Sequence, residues 1–400
     1  DALVPFKNQL KCTDTLTAVW ITVQCPSRVP VGKYHQTIKI EGSKHFTIQL
    51  DYNVHHTTIP LKSSIPITVG VENRCVAEGL NDKEADKERQ RWVDFVLSYR
   101  MTPVFGTQIT PERWQYEHSF SPWAWNDKRS IRLLNDRRYS CYMLPFFTLS
   151  ENELASLLCN IQKKGKLKES LFYIWDEPAY MEDYEQIKQK VNIIRKYASD
   201  ARILTTFFCG PRNGPRKGDL YAVFDYLKHH IHVATISLAP CKGNEEEVQH
   251  IRYKVPEGID WWSYVCWQPG GNEPNFLLQM KGIQQRAIMW RTWKNGSQGF
   301  LYWNCNIYHK RNPFTYITDM PHGDGILIYP GDILGRKGPI ASARLERWRD
   351  GAEEMELLRL VEKNYSKEKA HNIPFFRKEL LDQLDKTIPI DYKLRITDFI

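Results

Sequence analysis

Hydrophobic and polar positions follow two different rhythms along this chain of 400 residues. Residues 16–24, 32–41 and 45–52 are rich in Val, Ile, Thr and aromatic side chains, and turn residues such as Pro-Val-Gly and Glu-Gly separate them. Such runs are typical of short strands. The sequence therefore predicts a small, β-sandwich-like module over residues 1–65.

After residue 65, strand-like segments alternate with helix-like segments. A β-branched run at residues 67–71 precedes a segment at 84–100 whose apolar residues have helical spacing. Ser150 and Glu153 predict a capping box at the start of a later helix. The remaining strand-like segments are 139–147, 171–175, 202–208, 232–239, 260–267 and 299–304, and the remaining helix-like segments are 181–197, 220–228, 245–255 and 277–293.

Short apolar strands separated by helices predict parallel βαβ units and an α/β fold. Seven units are clear and one, at residues 102–135, is irregular. Eight units close a (β/α)8 TIM-type barrel, which we expect over residues 66–365 with residues 340–362 as its last helix. A helical extension is expected at 366–400. An open doubly wound sheet is the alternative, but the Gly-rich phosphate-binding turn of that fold does not occur in the sequence.

Two adjacent acids, Asp176 and Glu177, follow the fourth predicted barrel strand. The chemistry of such barrels gathers at the C-terminal ends of the strands. Acetal cleavage needs a proton donor at the leaving oxygen and negative charge near the oxocarbenium-like centre. Two neighbouring acids push their pKa values apart, which keeps one of them protonated. We expect Pro178 to hold Glu177 in an extended conformation, with both carboxylates in the barrel mouth.

Aromatic and amide side chains are predicted to surround this catalytic pair. Flat rings bind the C–H faces of a sugar, and amides bind its hydroxyl groups. The predicted substrate-binding residues are Trp123, Trp125, Phe208, Tyr264, Trp267, Gln268, Trp303 and Asn304. Tyr264, Trp267 and Trp303 are equally typical of a packed core, and an isolated Asp-Glu-Pro is typical of the first turn of a helix.

Several segments, in this order, resemble glycoside hydrolase family 123. They are residues 91–100 leading into Met101-Thr-Pro103, Asp176-Glu177-Pro178 after an apolar strand, and residues 299–304, 323–331 and 341–351. The resemblance extends from about residue 30 to residue 362. The most specific part of the resemblance is two motifs in this order, Gly-Asp-Gly…Tyr-Pro-Gly and Arg-Leu-Glu…Arg-Asp-Gly.

The resemblance implies an exo-acting, retaining β-N-acetylgalactosaminidase that uses the 2-acetamido group of its substrate as the nucleophile. Glu177 would be the general acid/base, and Asp176 would orient the acetamide. Tyr264 would bond the acetamide oxygen, and Trp303 would be a platform for the sugar ring. The resemblance implies no metal ion and no organic cofactor.

Two positions depart from the family's pattern. Ala239 stands where a more polar strand end is expected, and Tyr308-His309 stands where family members often have a tryptophan. Both departures bear on which sugar is recognised more than on the catalytic mechanism. Three alternatives therefore stay open: another hexosaminidase specificity, cleavage within a chain, and a catalytically silent sugar-binding barrel.

The formal net charge of +8 suits an acidic glycan or glycolipid substrate, although it is also typical of an ordinary soluble surface. No nucleic-acid-binding motif accompanies the charge, which argues against a nucleic-acid partner. No run approaches eighteen apolar residues, so no transmembrane helix is expected. The nine cysteines have no metal-binding spacing, which argues against a zinc site. Nothing in the sequence indicates the oligomeric state.

Features compatible with secretion are few. The sequons Asn295-Gly-Ser and Asn364-Tyr-Ser and a pairing of Cys12 with Cys25 would suit a secreted or lumenal protein. Two sequons also arise easily by chance, so the compartment stays open.

Overall fold

The computed structural model describes residues 1–7, 10, 17–26, 28–42, 44–54, 58–110, 115–238, 245–308, 312–313, 320–364, 366 and 368. Among these residues, the N-terminal region contains one antiparallel pair of strands, β1 (Gly32–Ile40) and β2 (Phe46–Val54). The strand predicted at residues 16–24 is wrong, since residues 17–24 have no regular structure and their apolar side chains are exposed. A strand pattern without a partner to pair with and cover it does not suffice. The described residues therefore form a two-stranded sheet rather than a sandwich.

The main sheet has nine strands among the described residues: β3 (Ile67–Glu72), β4 (Thr102–Thr110), β5 (Gln115–Ser119), β6 (Tyr142–Met143), β7 (Ser170–Trp175), β8 (Arg202–Phe207), β9 (Val233–Ser237), β10 (Asp260–Val265) and β11 (Phe300–Tyr302). Their order is β5-β4-β3-β11-β10-β9-β8-β7-β6, and every neighbouring pair is parallel except β4 and β5. A backbone hydrogen bond of 2.7 Å from Phe120 to Met143 links the two ends. The sheet is a nearly closed (β/α)8-type barrel, as predicted.

The irregular unit at residues 102–135 is a hairpin. β4 turns back antiparallel as β5, with a change of register between Gln108 and Thr110. Its second strand, β5, comes between the parallel strands β4 and β6 along the chain and interrupts the strand–helix rhythm of the sequence. β6 is shorter than the strand predicted at 139–147, because its ladder pairs it only with β7.

Nine helices accompany the strands in the described part of the chain: α1 (Asn73–Ala77), α2 (Asp82–Ser98), α3 (Lys128–Leu133), α4 (Glu151–Lys163), α5 (Met181–Arg195), α6 (Ala222–Leu227), α7 (Glu245–Lys254), α8 (Gly282–Lys294) and α9 (Ala343–Asn364). Single 3-10 turns lie at Leu167–Glu169 and Asp332–Leu334. The predicted capping box is present at α4: the Ser150 N–H bonds the Glu153 carboxylate at 2.8 Å, and the Glu153 N–H bonds the Ser150 hydroxyl at 3.4 Å.

Alternating side chains of the barrel strands form two apolar layers. Leu171, Leu204, Val233 and Leu301 fill the barrel interior. The opposite faces of the strands, such as Phe172 and Ile174 of β7, pack beneath the helices. Because the interior is filled, the open space of this barrel lies at its mouth, where the strands end.

The last helix, α9, closes the barrel, as predicted. Its Trp348 is fully buried and donates from the indole nitrogen to the Tyr99 carbonyl at 3.3 Å. The buried Arg344 forms an ion pair of 2.9 Å with Asp1, so the first residues pack against the start of this helix. Before α9, strands β12 (Ile328–Pro330) and β13 (Pro339–Ala341) pair antiparallel.

The structure bears on some sequence features of secretion. Asn295 is only 1% exposed, so the folded chain leaves no room for a glycan there, whereas Asn364 is exposed. Cys12 lies outside the described residues, as do Ala239, His309 and nearly all of 366–400. The divisions at residues 65 and 365 stay predictions. Within the described residues, the helices are too short or too polar to cross a bilayer.

Candidate active site

A bulge near the end of β7 directs Asp176 into the barrel mouth. Between Tyr173 and Trp175, β7 advances by two residues while β8 advances by one. Ile174 and Trp175 consequently both pack on the helix side, and Asp176 lines the cavity at the mouth. In a strand with regular alternation, Asp176 would face outward.

A left-handed turn then brings Glu177 to the same mouth. Its φ angle is +44°, so the expected extended conformation is wrong. The N–H of Glu177 donates to the Thr206 hydroxyl on β8 at 2.9 Å, which turns the chain immediately after the strand. A non-glycine residue in this region costs about 1–2 kcal/mol. In return, two adjacent carboxylates can both reach the mouth.

Two hydroxyl groups fix the carboxylate of Asp176. The Tyr173 hydroxyl donates to Oδ1 at 2.6 Å, and the Thr206 hydroxyl donates to the same oxygen at 2.8 Å. Burial raises the pKa of Asp176, and these two hydrogen bonds oppose the rise because they stabilise the ionised form. Both Asp176 and Glu177 are nevertheless exposed to solvent at the mouth when the whole residue is counted.

Glu177 has a different environment. The buried Tyr264 hydroxyl on β10 donates to its Oε1. Burial and, next, the charge of Asp176 raise the pKa of Glu177 to about 7, against the opposing effects of the Tyr264 bond and the Arg212 cation. A carboxyl group with this pKa can donate a proton at neutral pH and accept one afterwards.

A cleft of about 660 Å³, counted with its opening to solvent, lies on the Asp176 side of the mouth. Residues of the neighbouring strands β3, β4, β5, β6, β7 and β11 line it. Trp303 and Asn304 line it, as does Glu72, an 8% exposed carboxylate whose pKa is raised by burial.

Gly70 of β3 forms part of the cleft wall and allows a close approach of two strand ends. A Cβ atom at this position would lie 1.9 Å from the carbonyl oxygen of Trp303. No residue with a side chain fits between these backbones without a shift of β11. Gly70 therefore determines where Trp303 enters the cleft.

Trp303 is held by a buried acid. Oδ1 of Asp324 accepts the indole N–H of Trp303 at 3.0 Å and the Tyr302 hydroxyl at 3.0 Å. Burial raises the pKa of Asp324 to about 6. Asp324 lies in the 323–331 segment that carries the family resemblance, which was the available signal for its importance.

His118 of β5 is a cleft residue that no sequence pattern identifies. Its ring stacks on that of Tyr173, with centroids 4.3 Å apart and an angle of 9° between the planes. Burial lowers the pKa of His118 to about 3, so the imidazole is neutral at physiological pH. Because Tyr173 holds Asp176, this stacking also supports the acidic pair.

The predicted substrate-binding residues separate into three groups. Trp303 and Asn304 line the cleft, although the Asn304 side-chain oxygen also accepts the Asn306 N–H at 2.9 Å. Tyr264, Phe208 and Trp267 lie on the Glu177 side of the mouth. Trp123, Trp125 and Gln268 do not line the cleft.

Trp123 is held away from the mouth by α2 and α3. Its indole N–H donates to Asp86 of α2 at 2.9 Å, and the Arg129 guanidinium of α3 lies 4.6 Å from its ring centroid. Trp125 packs against the same outer core. Both tryptophans follow the hairpin, where the sequence predicts no clear strand end.

Comparison with known proteins agrees with this architecture. A family model described as the glycoside hydrolase 123 catalytic domain matches residues 87–361. The chain is also similar in structure to a family 123 glycoside hydrolase from Clostridium perfringens that is described for glycolipid glycan hydrolysis. The two share 15% sequence identity and a TM-score of 0.59, over 86% of this chain and 69% of that one. No curated protein sequence matches the chain.

Other solved structures are similar at a lower level. An endocellulase from Pyrococcus horikoshii has 11% identity and a TM-score of 0.38 over 82% of this chain and 100% of that one. A Xyn10A xylanase from Cellvibrio japonicus has 11% identity and a TM-score of 0.38 over 74% of this chain and 98% of that one.

Proposed function

The chain belongs to glycoside hydrolase family 123, and we propose that it removes terminal β-linked N-acetylgalactosamine by retaining, substrate-assisted catalysis. The observation that carries the proposal is the contrast between two neighbouring acids. Two hydroxyl hydrogen bonds oppose the rise that burial causes in the pKa of Asp176, whereas burial and the charge of Asp176 raise the pKa of Glu177 to about 7. Asp176 is therefore suited to act as a fixed negative charge, and Glu177 is suited to transfer a proton.

In the first step, the acetamido oxygen of the substrate attacks C1 while the glycosidic bond breaks. Glu177 gives its proton to the departing oxygen. The acetamido N–H, which becomes more acidic as the oxazolinium-like intermediate forms, donates to the carboxylate of Asp176. Since the nucleophile belongs to the substrate, no second carboxylate is needed on the opposite face of the sugar, and the usual separation of the two acids does not apply.

In the second step, water attacks C1 from the side that the leaving group has vacated. Glu177, now ionised, takes a proton from this water, and the C1–oxygen bond of the intermediate breaks to restore the acetamide. The configuration at C1 is retained after two inversions, and Glu177 returns to its protonated state.

The cleft beside Asp176 is the proposed site of the N-acetylgalactosamine ring, with Trp303 as its platform. When substrate binds, the Tyr264 hydroxyl is proposed to donate its one proton to the acetamido oxygen instead of to Glu177. Glycans and glycolipids are the proposed substrates, in part because the similar Clostridium perfringens enzyme is described for glycolipid glycan hydrolysis. Glycan cleavage requires no metal ion in this mechanism.

Hydrolysis of aryl β-N-acetylgalactosaminides with good and poor leaving groups tests the proposal. Glu177→Gln should lower kcat on the poor leaving groups by about 10²- to 10⁴-fold and less on the good ones, since the latter need little proton donation. Asp176→Asn should lower kcat on the poor and on the good leaving groups. Glu257→Gln, at an exposed acid far along the chain from the pair, is the matched control and should keep full activity. Full activity of Glu177→Gln or Asp176→Asn would overturn the mechanism.

The same assay separates the alternatives. Faster hydrolysis of β-N-acetylglucosaminides than of the galacto isomers would show another hexosaminidase specificity. Release of oligosaccharides rather than monosaccharides from a glycan would show cleavage within a chain. Binding of N-acetylgalactosamine without turnover would show a silent sugar-binding barrel. A thiazoline mimic of the oxazolinium intermediate should inhibit only if the acetamido group takes part.

A further inference from the structure

The barrel mouth has two unlike halves. The cleft beside Asp176 occupies one of them. In the other half, Phe208, which follows β8, stacks on Trp267, which follows β10, with ring centroids 6.5 Å apart and an angle of 26° between the planes. Trp267 is 44% exposed, so a broad aromatic surface faces solvent on this side.

Glu177 lies between the two halves. Thr206, which accepts its N–H, is two residues before Phe208, and Tyr264, which donates to its carboxylate, is three residues before Trp267. A general acid must reach the leaving oxygen, so it lies toward the aglycone. The aromatic pair therefore lies on the leaving-group side of the bond that is broken.

An unneutralised cation stands on this side as well. Arg212 is exposed in the segment after β8, and its backbone N–H bonds the Ala179 carbonyl at 2.6 Å, next to the acidic pair. Its guanidinium is near enough to act on the charge of Glu177. No carboxylate pairs with Arg212 among the described residues, whereas the nearby Arg216 forms ion pairs with two aspartates. The guanidinium makes side-chain hydrogen bonds with Tyr180 and Cys209 and is exposed. An exposed guanidinium without a carboxylate partner suits an anion, which it can bind through two parallel hydrogen bonds.

We propose that Phe208, Trp267 and Arg212 form a leaving-group subsite that binds an aglycone sugar carrying an anionic substituent. The aromatic pair receives the C–H face of that sugar, and Arg212 binds its carboxylate or sulfate group. This subsite rests on the proposed function, because the reaction defines which side of Glu177 receives the aglycone. The net positive charge of the chain suggests an acidic substrate. The subsite places the acidic group of that substrate on one sugar, the one next to the cleaved bond.

Three kinds of substrate test the subsite: an aryl β-N-acetylgalactosaminide, a neutral disaccharide of N-acetylgalactosamine linked to galactose, and an anionic form of this disaccharide. The anionic form is used in two versions, one with a sulfate on the galactose and one with a sialic acid attached to it. The wild-type kcat/KM should be roughly 10- to 100-fold higher for an anionic disaccharide than for the neutral one, as for a hydrogen bond to a charged group. This preference should decrease as the salt concentration rises.

Single substitutions separate the contribution of Arg212 from that of the aromatic pair. Arg212→Gln should remove most of the preference for the anionic disaccharide. Lys217→Gln, which removes a positive charge from the same exposed segment, is the matched control and should preserve it. Trp267→Ala should lower kcat/KM about tenfold more on both disaccharides than on the aryl glycoside, since stacking of a ring is worth this order.

Equal wild-type rates on the neutral and anionic disaccharides would overturn the proposal. An equal loss on all three substrates in Arg212→Gln would also overturn it, because Arg212 would then act only through Glu177. Failure of the proposed function gives a different result, no cleavage of the aryl glycoside at all. In that case, calorimetric binding of the free galactose sulfate to the wild type but not to Arg212→Gln would support the anion subsite, and equal binding would refute it.

Discussion

The Thr206 hydroxyl donates a hydrogen bond of 2.8 Å to Oδ1 of Asp176. Its oxygen also accepts the backbone N–H of Glu177 at 2.9 Å. One buried side chain of β8 thus holds the carboxylate of the first acid and the backbone turn of the second. This arrangement makes Thr206 a positioning residue for the pair.

Replacement of Thr206 by valine should therefore affect activity and stability together. Thr206→Val leaves the N–H of Glu177 without a partner, and we expect a loss of about 1–3 kcal/mol in the free energy of unfolding. We expect kcat/KM on the aryl glycoside to fall roughly tenfold or more, since Asp176 also loses a donor. Thermal unfolding and steady-state kinetics measure the two effects.

The adjacent Thr205 provides the control for this substitution. Its side chain is fully buried and its hydroxyl has no hydrogen-bond partner among the described residues. Thr205→Val should therefore leave stability unchanged or increase it, because no hydrogen bond is lost. Equal effects of the two valines on activity would contradict the role assigned to Thr206.

The pH dependence of hydrolysis should show the ionisation of Glu177. Its pKa is raised to about 7, so the protonated form is present below that pH and is lost above it. As a general acid, Glu177 must be protonated in the free enzyme, and kcat/KM should decrease as the pH rises through about 7. In a profile from pH 4 to 9, Glu177→Gln should lack this limb. A wild-type rate that stays constant up to pH 9 would argue against Glu177 as the acid.

Removal of the Tyr264 hydroxyl should shift the pH at which kcat/KM decreases. The hydrogen bond from Tyr264 lowers the pKa of Glu177, so Tyr264→Phe should raise that pKa and shift the decrease of kcat/KM to higher pH. If the hydroxyl also bonds the acetamido oxygen, the plateau should fall by about 10²-fold. Tyr253→Phe, at an 83% exposed tyrosine, is the control. An unshifted limb with a lower plateau would leave Tyr264 a role in binding alone.

Addition of one methyl group at Gly70 should distort the cleft. The new Cβ would lie 1.9 Å from the Trp303 carbonyl oxygen, so β11 must move, at a cost of about 1–3 kcal/mol. We expect Gly70→Ala to raise KM, because Trp303 moves with its backbone. Gly270→Ala is the control, since a Cβ there has no atom within 4 Å. Unchanged KM and melting temperature in Gly70→Ala would show that the two strand ends separate without cost.

The barrel and the acidic pair could be predicted because both depend on local pattern. Seven strand–helix units repeat regularly, and Asp176 and Glu177 follow an apolar strand directly. The bulge at Ile174 and Trp175 has no local signal, because two consecutive apolar residues also fit a strand buried on both faces. The positive φ of Glu177 depends on Thr206, a residue 29 positions further along the chain.

The hairpin explains the two largest differences between prediction and structure. His118 enters the cleft because β5 turns back against β4, and neither spacing nor composition indicates that turn. Trp123 leaves the predicted aromatic ring because Asp86 and Arg129 bind it between two helices. Both outcomes follow from contacts between distant segments, which hydrophobic periodicity does not report.

The left-handed turn at Glu177 also limits how this chemistry can be transplanted. An Asp-Glu pair grafted onto a regular strand that stays extended would send one carboxylate toward the outer helices and keep only one above the bore. A designer would need to carry over the turn together with a threonine on the neighbouring strand, because the Thr206 hydroxyl accepts the Glu177 N–H. The bulge is separable from the pair: deletion of either Ile174 or Trp175 should restore regular alternation after Tyr173 and leave Asp176 facing the bore.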